Sequence, residues 1–203
     1  MGKDLLKFEI EGNLESLEAM KDQLMYSFLE DDQLMKALII NDENCLSESL
    51  DSYLAAQALR HKDLQRGSIN YYIHKNIFTY KWMVPETIDT KESYITMDFL
   101  VFGDNRTNTN RSHFKDFSFA IYVITHKDLM RIVKESKDGF INRTDYMIRR
   151  VDAILNGSRN FGIGKLKFGG SSNLNITNDI VGSVITYHAL DFGKKLKDES
   201  DEN

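Results

Sequence analysis

Five histidines, His61, His74, His113, His126 and His188, are the residues of this 203-residue chain best suited to hold a metal or move a proton. No two of them stand four apart, the spacing that places two imidazoles on one helical face for zinc. Cys45 is the only cysteine, so no thiolate pair joins them. His188 lies on a strand beside Tyr187 and close to Asp191, where a site could form in space, but nothing local announces one. The glycine segment from Gly164 reads G-x-x-x-x-G-G-S. A phosphate loop requires lysine where Gly170 stands, because that ammonium neutralises the terminal phosphates. The three-glycine dinucleotide fingerprint and the G-x-S-x-G nucleophile elbow are both absent. The paired carboxylates Asp31-Asp32 and Asp42-Glu43 suit helix caps and solvated faces. The expectation is no catalytic residue, no cofactor, no metal and no enzymatic activity.

Composition bounds the rest. Apolar residues make up 41% and charged residues 28%, ordinary proportions for a globular chain. A single cysteine allows no internal disulfide and points to a reducing compartment. Cys45 lies among Asp42, Glu43 and Asn44, neighbours that do nothing for a thiolate. No apolar run approaches the length of a membrane span, and the N-terminal residues carry no signal-peptide core. The net charge of −5 argues against general affinity for nucleic-acid backbone. The charge is uneven: residues 1–67 hold 7 basic and 14 acidic side chains, while the remainder is slightly basic.

The elements that must carry these residues follow from periodicity. Leu14, Leu17, Met20, Leu24 and Phe28 mark one face of a helix. Asp31 and Asp32 cap a second helix, and a third is predicted over 48–59. Phe8 to Ile10, Ile69 to Ile73 and Ile77 to Val84 are β-rich, with Pro85 ending the last. In Ser93 to Phe102, Ile95, Met97, Phe99 and Val101 alternate with Thr96 and Asp98. A polar loop at 103–112 leads to a strand within 113–125, in which Phe117, Phe119, Ile121 and Val123 alternate. The two strands form a long hairpin with a projecting tip. His126 to Val133 reads as a short helix or turn. Asn142, with Asp145 three residues on, starts a helix bearing Met147, Ile148, Val151, Ile154 and Leu155, which Asn156-Gly157 stops. A glycine-bordered strand at 162–168, with Lys165 and Lys167 on its wet face, and a strand at 179–191 complete the set. The predicted class is α+β: a mostly antiparallel sheet flanked by helices, with an N-terminal helical section and a long β-hairpin. The predicted units are a helical section 1–67, a core 68–192 and a charged tail 193–203.

Taken in order, these features resemble the head–tail connector and tail-terminator proteins of tailed bacteriophages. The resemblance is carried by Leu24 to Leu38, where an opening helix meets an aspartate-led second helix, and by Val84 to Phe102 as the entry to the sheet. The Arg143 to Gly157 helix and the closing strand that ends Tyr187-His-Ala-Leu-Asp-Phe192 match most closely. The resemblance implies a structural virion protein that forms a ring in the neck, caps the tail tube and joins the tail to the head connector. It implies a homo-oligomeric ring, a hexamer favoured over a dodecamer. The implied partners are the neighbouring connector and tube proteins, with DNA passing through the lumen without specific binding, and no membrane. Assembly would take place in the host cytoplasm. Asp104, Arg106 and Arg111 at the hairpin tip are the implied protein-contact residues. Other neck components, an adaptor or a head-completion stopper, fit the same pattern. A small cytoplasmic enzyme built around Tyr187, His188 and Asp191, or a monomeric regulatory binding module, remain as rivals.

Overall fold

The computed structural model describes residues 14–62, 64–81, 91–102, 116–136, 138–161 and 164–190. The hairpin tip with Asp104, Arg106 and Arg111, the expected strand at Phe8 to Ile10, Asp191 and the 193–203 tail lie outside these residues.

The centre is a five-stranded sheet in the order β1-β2-β3-β7-β6. Its strands are β1 (Ile77–Phe78), β2 (Ser93–Phe102), β3 (Asp116–His126), β6 (Lys165–Asn175) and β7 (Ile180–Leu190). All neighbours are antiparallel except β1 and β2. The expected hairpin is present: β2 and β3 pair from Ser93 with Thr125 to Phe102 with Asp116. Alternation sends Ile95, Met97, Phe119, Ile121, Val123, Ile185 and Tyr187 to one face, where all seven are buried. Gly182 of β7 lies where a Cβ would stand 2.4 Å from the Val123 carbonyl oxygen of β3, so only glycine lets these two strands approach this closely.

Helices cover that buried face: α1 (Leu14–Leu29), α2 (Asp32–Ile39), α3 (Leu50–His61) and α4 (Arg143–Leu155). Met20, Leu24 and Phe28 of α1, Leu34, Met35 and Leu38 of α2, and Met147, Val151 and Leu155 of α4 form one core with the sheet. The expected caps hold. Asp31 accepts from the Leu34 amide at 2.8 Å, and Asn142 accepts from the Asp145 amide at 3.2 Å. Gly157, at φ +81°, ends the chain's turn out of α4. A small hairpin of β4 (Arg131–Val133) and β5 (Phe140–Asn142) precedes α4.

Three local expectations are corrected. Ile69–Tyr72 is a 3-10 turn, not a strand; the Ser68 hydroxyl accepts from the Asn70 amide, a side-chain bond that favours turning over extension. The Ile77 strand lasts two residues, because β1 meets only Ile95 and Thr96. The glycine strand runs to Asn175, through Gly-Gly-Ser-Ser-Asn, because pairing with β7 overrides its poor strand propensity.

Arg143, the first residue of α4, is fully buried. Its guanidinium donates to the carbonyls of Leu129, Ala37, Ile40 and Asp42 at 2.7, 2.7, 2.8 and 2.7 Å. Ala37 and Ile40 belong to the end of α2, where carbonyls have no partner within the helix. Burial pulls the Arg143 pKa down from its usual value, but four carbonyl oxygens hold the charge in place of water.

Candidate assembly edges and a polar cavity

Two stretches of the sheet margin are open, and each has a sequence reason. On the β2 side, β1 ends at Phe78, so Met97 to Phe102 has no strand beyond it among the described residues. On the β6 side, the loop after α4 covers only the first part of the strand. The Gly157 amide donates to the Leu166 carbonyl at 2.8 Å, and the Leu166 amide donates to Ser158 at 2.9 Å. The Asn156 side chain accepts from the Phe168 amide at 3.3 Å. Past the bulge between Phe168 and Gly170, the outer side of Gly170 to Asn175 has no backbone partner among the described residues. From Ser171 to Asn173 the side chains are exposed. Lys165 and Lys167 are exposed as expected, and they flank the covered part, not the open one.

Of the rival acid–base set, Tyr187 and His188 do not converge, and Asp191 lies outside the described residues. Tyr187 and His188 are consecutive in β7 and therefore point to opposite faces. Tyr187 is buried and donates to Asp152 of α4 at 2.9 Å; burial, with that bond, pushes its phenol pKa far up. His188 is on the other face, with Nδ1 2.7 Å from the Ser118 hydroxyl. A Cβ on Gly169 would stand 2.4 Å from its Nε2, so the bulge glycine makes room for the ring and crowds its second nitrogen. His126 accepts from the Asp128 amide through Nδ1 as a local turn cap. Among the described residues no group of three or more metal-binding side chains gathers, and no helix is long and apolar enough to cross a membrane.

A polar cavity of about 400 Å³ lies beside α3, near the start of β2. Tyr71, Tyr72, Arg66 and Lys75 line it from the turn segment, with Asn76 and Glu92. Lys75 pairs with Glu92 at 3.2 Å and sits 5.6 Å from the Tyr71 ring centre and 5.4 Å from that of Tyr72. Arg66 is 5.8 Å from Tyr71. Burial pushes the Tyr72 phenol up to about 12. Sequence reading missed this site. Its residues are spread from Ile39 to Glu92, and the segment that brings them together was read as a strand.

A family model described as YomW matches residues 31–189 of the chain. No curated protein matches it. The matched span begins at the capping Asp31 and ends one residue before the end of β7, so it takes in nearly all of the sheet and, among the described residues, three of the four helices.

Proposed function

We propose, because this chain belongs to the YomW family of phage-related proteins, that it is a structural protein of the phage particle. In this reading it closes into a ring of copies in the neck, of the kind that ends the tail tube and joins it to the head connector. A different neck ring, adaptor or stopper, would use the same joint.

The observation that carries the reading is the match between the two open margins. Each is six residues long, Met97 to Phe102 and Gly170 to Asn175. Six residues of strand span roughly 20 Å. The four strands β2, β3, β7 and β6 alternate in direction, so a copy displaced sideways without inversion sets its β2 antiparallel to the first copy's β6. With the second copy also moved along the strands by four residues, from Ser93 level with Asn175 to Met97 level with it, Gly170 falls opposite Phe102 and Asn175 opposite Met97. The covered ends also agree. The 156–158 loop blocks β6 beyond Phe102, and β1 blocks β2 beyond Asn175. Such a contact joins unlike surfaces and closes when its rotation divides a full turn. Edge strands of this kind join through their backbone ladder groups.

Light scattering across a concentration range tests the ring, and a Ser172→Cys/Leu100→Cys variant tests the joint. This pair is opposite in the register above, and the only native cysteine, Cys45, is buried. A discrete oligomer above a dimer, locked by mild oxidation into a ladder ending at the same copy number, supports the reading. A strict dimer, or a monomer throughout the range, overturns the ring. An oligomer that does not cross-link at this pair overturns the joint.

A further inference from the structure

We propose that Asn156, at the end of α4, is a modification site: its side-chain amide is lost by attack of the Gly157 nitrogen, and β6 sets how often this happens.

The inference starts from the pair itself. Asn156-Gly157 is the only place in the chain where glycine follows asparagine. An asparagine loses its amide when the backbone nitrogen of the next residue attacks the side-chain carbonyl carbon. A side chain on that next residue stands in the way, and glycine has none. The freedom that lets Gly157 turn the chain out of α4, at φ +81°, also makes its nitrogen the least hindered of those that follow an asparagine. Both residues are exposed, so water reaches them.

In the folded chain one strand holds both reacting groups. The Gly157 N–H donates to the Leu166 carbonyl at 2.8 Å, and the Asn156 side-chain oxygen accepts from the Phe168 amide at 3.3 Å. The nitrogen attacks only after its proton has left, and that proton is engaged with Leu166. The asparagine carbonyl cannot swing toward it without leaving Phe168. The Leu166 amide, donating to the Ser158 carbonyl at 2.9 Å, closes the set. These bonds join an exposed loop to a sheet margin, where local opening costs much less than global unfolding. The reaction therefore runs from the opened loop.

Once the loop parts from β6, the Gly157 nitrogen gives its proton to solvent base and bonds to the Asn156 side-chain carbonyl carbon. The bond from that carbon to the side-chain nitrogen breaks, and ammonia leaves with a proton taken from water. Water then opens either carbonyl of the cyclic imide, leaving aspartate or isoaspartate. Aspartate keeps an oxygen for the Phe168 amide. Isoaspartate puts an extra carbon into the backbone and takes the old side-chain carbonyl into the main chain, so the spacing that served both Leu166 and Phe168 is lost. The open margin of β6 then extends from Gly170 back to Leu166, with a new negative charge beside it.

Incubation of the full chain at pH 8, folded and in urea, tests this by mass spectrometry of the peptide that spans Asn156. The expected result is amide loss at Asn156 in urea ahead of every other asparagine, and loss at least about tenfold slower in the folded chain. The isoaspartate form, isolated and returned to folding conditions, is expected to exchange its Leu166 and Phe168 amide hydrogens faster than the unmodified chain. Equal rates in the two states overturn protection by β6. No loss in urea, or loss first at another asparagine, overturns the site. Unchanged exchange at Leu166 and Phe168 overturns the lengthened margin. Asn156→Gln, whose longer side chain closes the imide far more slowly, is expected to abolish the product; an undiminished product would also overturn the site. None of these results depends on assembly, since each is read on the single chain.

Discussion

Arg150 of α4 grips the carboxylate of Asp31, the residue that caps α2. Its Nε lies 3.2 Å from Oδ1 and its Nη2 contacts Oδ2, while Oδ1 also accepts the Leu34 amide at 2.8 Å. The pair raises the Arg150 pKa, chiefly through the hydrogen bond to Asp31. Seven residues earlier on the same helix, Arg143 holds the carbonyls at the other end of α2. One helix thus satisfies both termini of its neighbour.

The two functions of Asp31 separate by substitution. Asp31→Asn keeps a capping oxygen and loses the charge pair, and is expected to lower stability by about 0.5–1 kcal/mol. Asp31→Ala loses both, and is expected to lower it by about 2 kcal/mol. Urea unfolding followed by circular dichroism measures the difference. Equal losses from the two variants would assign the whole effect to the charge pair.

Arg143 is the position least tolerant of change. Removing it leaves four carbonyls facing an apolar cavity, and a lysine reaches them with one charge centre instead of a fork. Arg143→Met and Arg143→Lys are each expected to destabilise the fold by about 3 kcal/mol or more. A variant within about 1 kcal/mol of the parent in denaturant midpoint analysis would show that water can replace the clamp.

How much of this was legible in the sequence depends on how local each signal is. The Asp31 cap, the β2 alternation and the Asn142 cap each rest on residues within six positions of one another, and each was readable. Arg143 was not. At the start of an amphipathic helix an arginine ordinarily faces solvent, and three of its four partners, Ala37, Ile40 and Asp42, lie 101 to 106 residues away. The cavity failed for the same reason, compounded by Ile69 to Ile73, where β-branched and aromatic residues suggested extension while a serine cap imposed a turn. The end of β6 was missed because its strand character comes from β7, not from its own glycines and serines.

Alkaline pH should expose the buried phenols. Tyr53, Tyr72, Tyr146 and Tyr187 are all shifted upward, first by burial. In the unfolded chain these phenols ionise near pH 10. The folded state keeps its protons longer, so their stabilising contribution is complete below about pH 10 and is lost as pH rises through about 12, the folded value for Tyr72. Ultraviolet titration is expected to show the exposed tyrosines ionising first, and a second step that coincides with loss of the helical signal. Tyr72→Phe should flatten the decline of stability between these limits. A single step for all nine tyrosines with the fold intact would contradict the shifts.

Gly182→Ala tests the tight spacing of β3 and β7. A methyl group at 2.4 Å from the Val123 oxygen forces backbone apart on both strands, since neither contact is a flexible side chain. The expected loss is about 2 kcal/mol or more. Gly169→Ala meets the His188 ring at 2.4 Å, a side chain that can turn, and the Thr186 carbonyl oxygen only at 3.2 Å, and is expected to be milder. Thermal melts of the two variants rank them.

The residues at 156–158 have one more consequence. Gly170 to Asn175 is small and polar, and a strand of that kind says little about where a partner should begin or end. A sheet margin with such weak instructions would let an added strand slide by two residues at a time. The loop bonded to Leu166 prevents this by acting as a mechanical stop: an arriving strand can advance to Gly170 and no further. Alignment along this margin is therefore written in the path of the chain after α4, and substitutions within the strand should change how firmly a partner is held more than where it comes to rest.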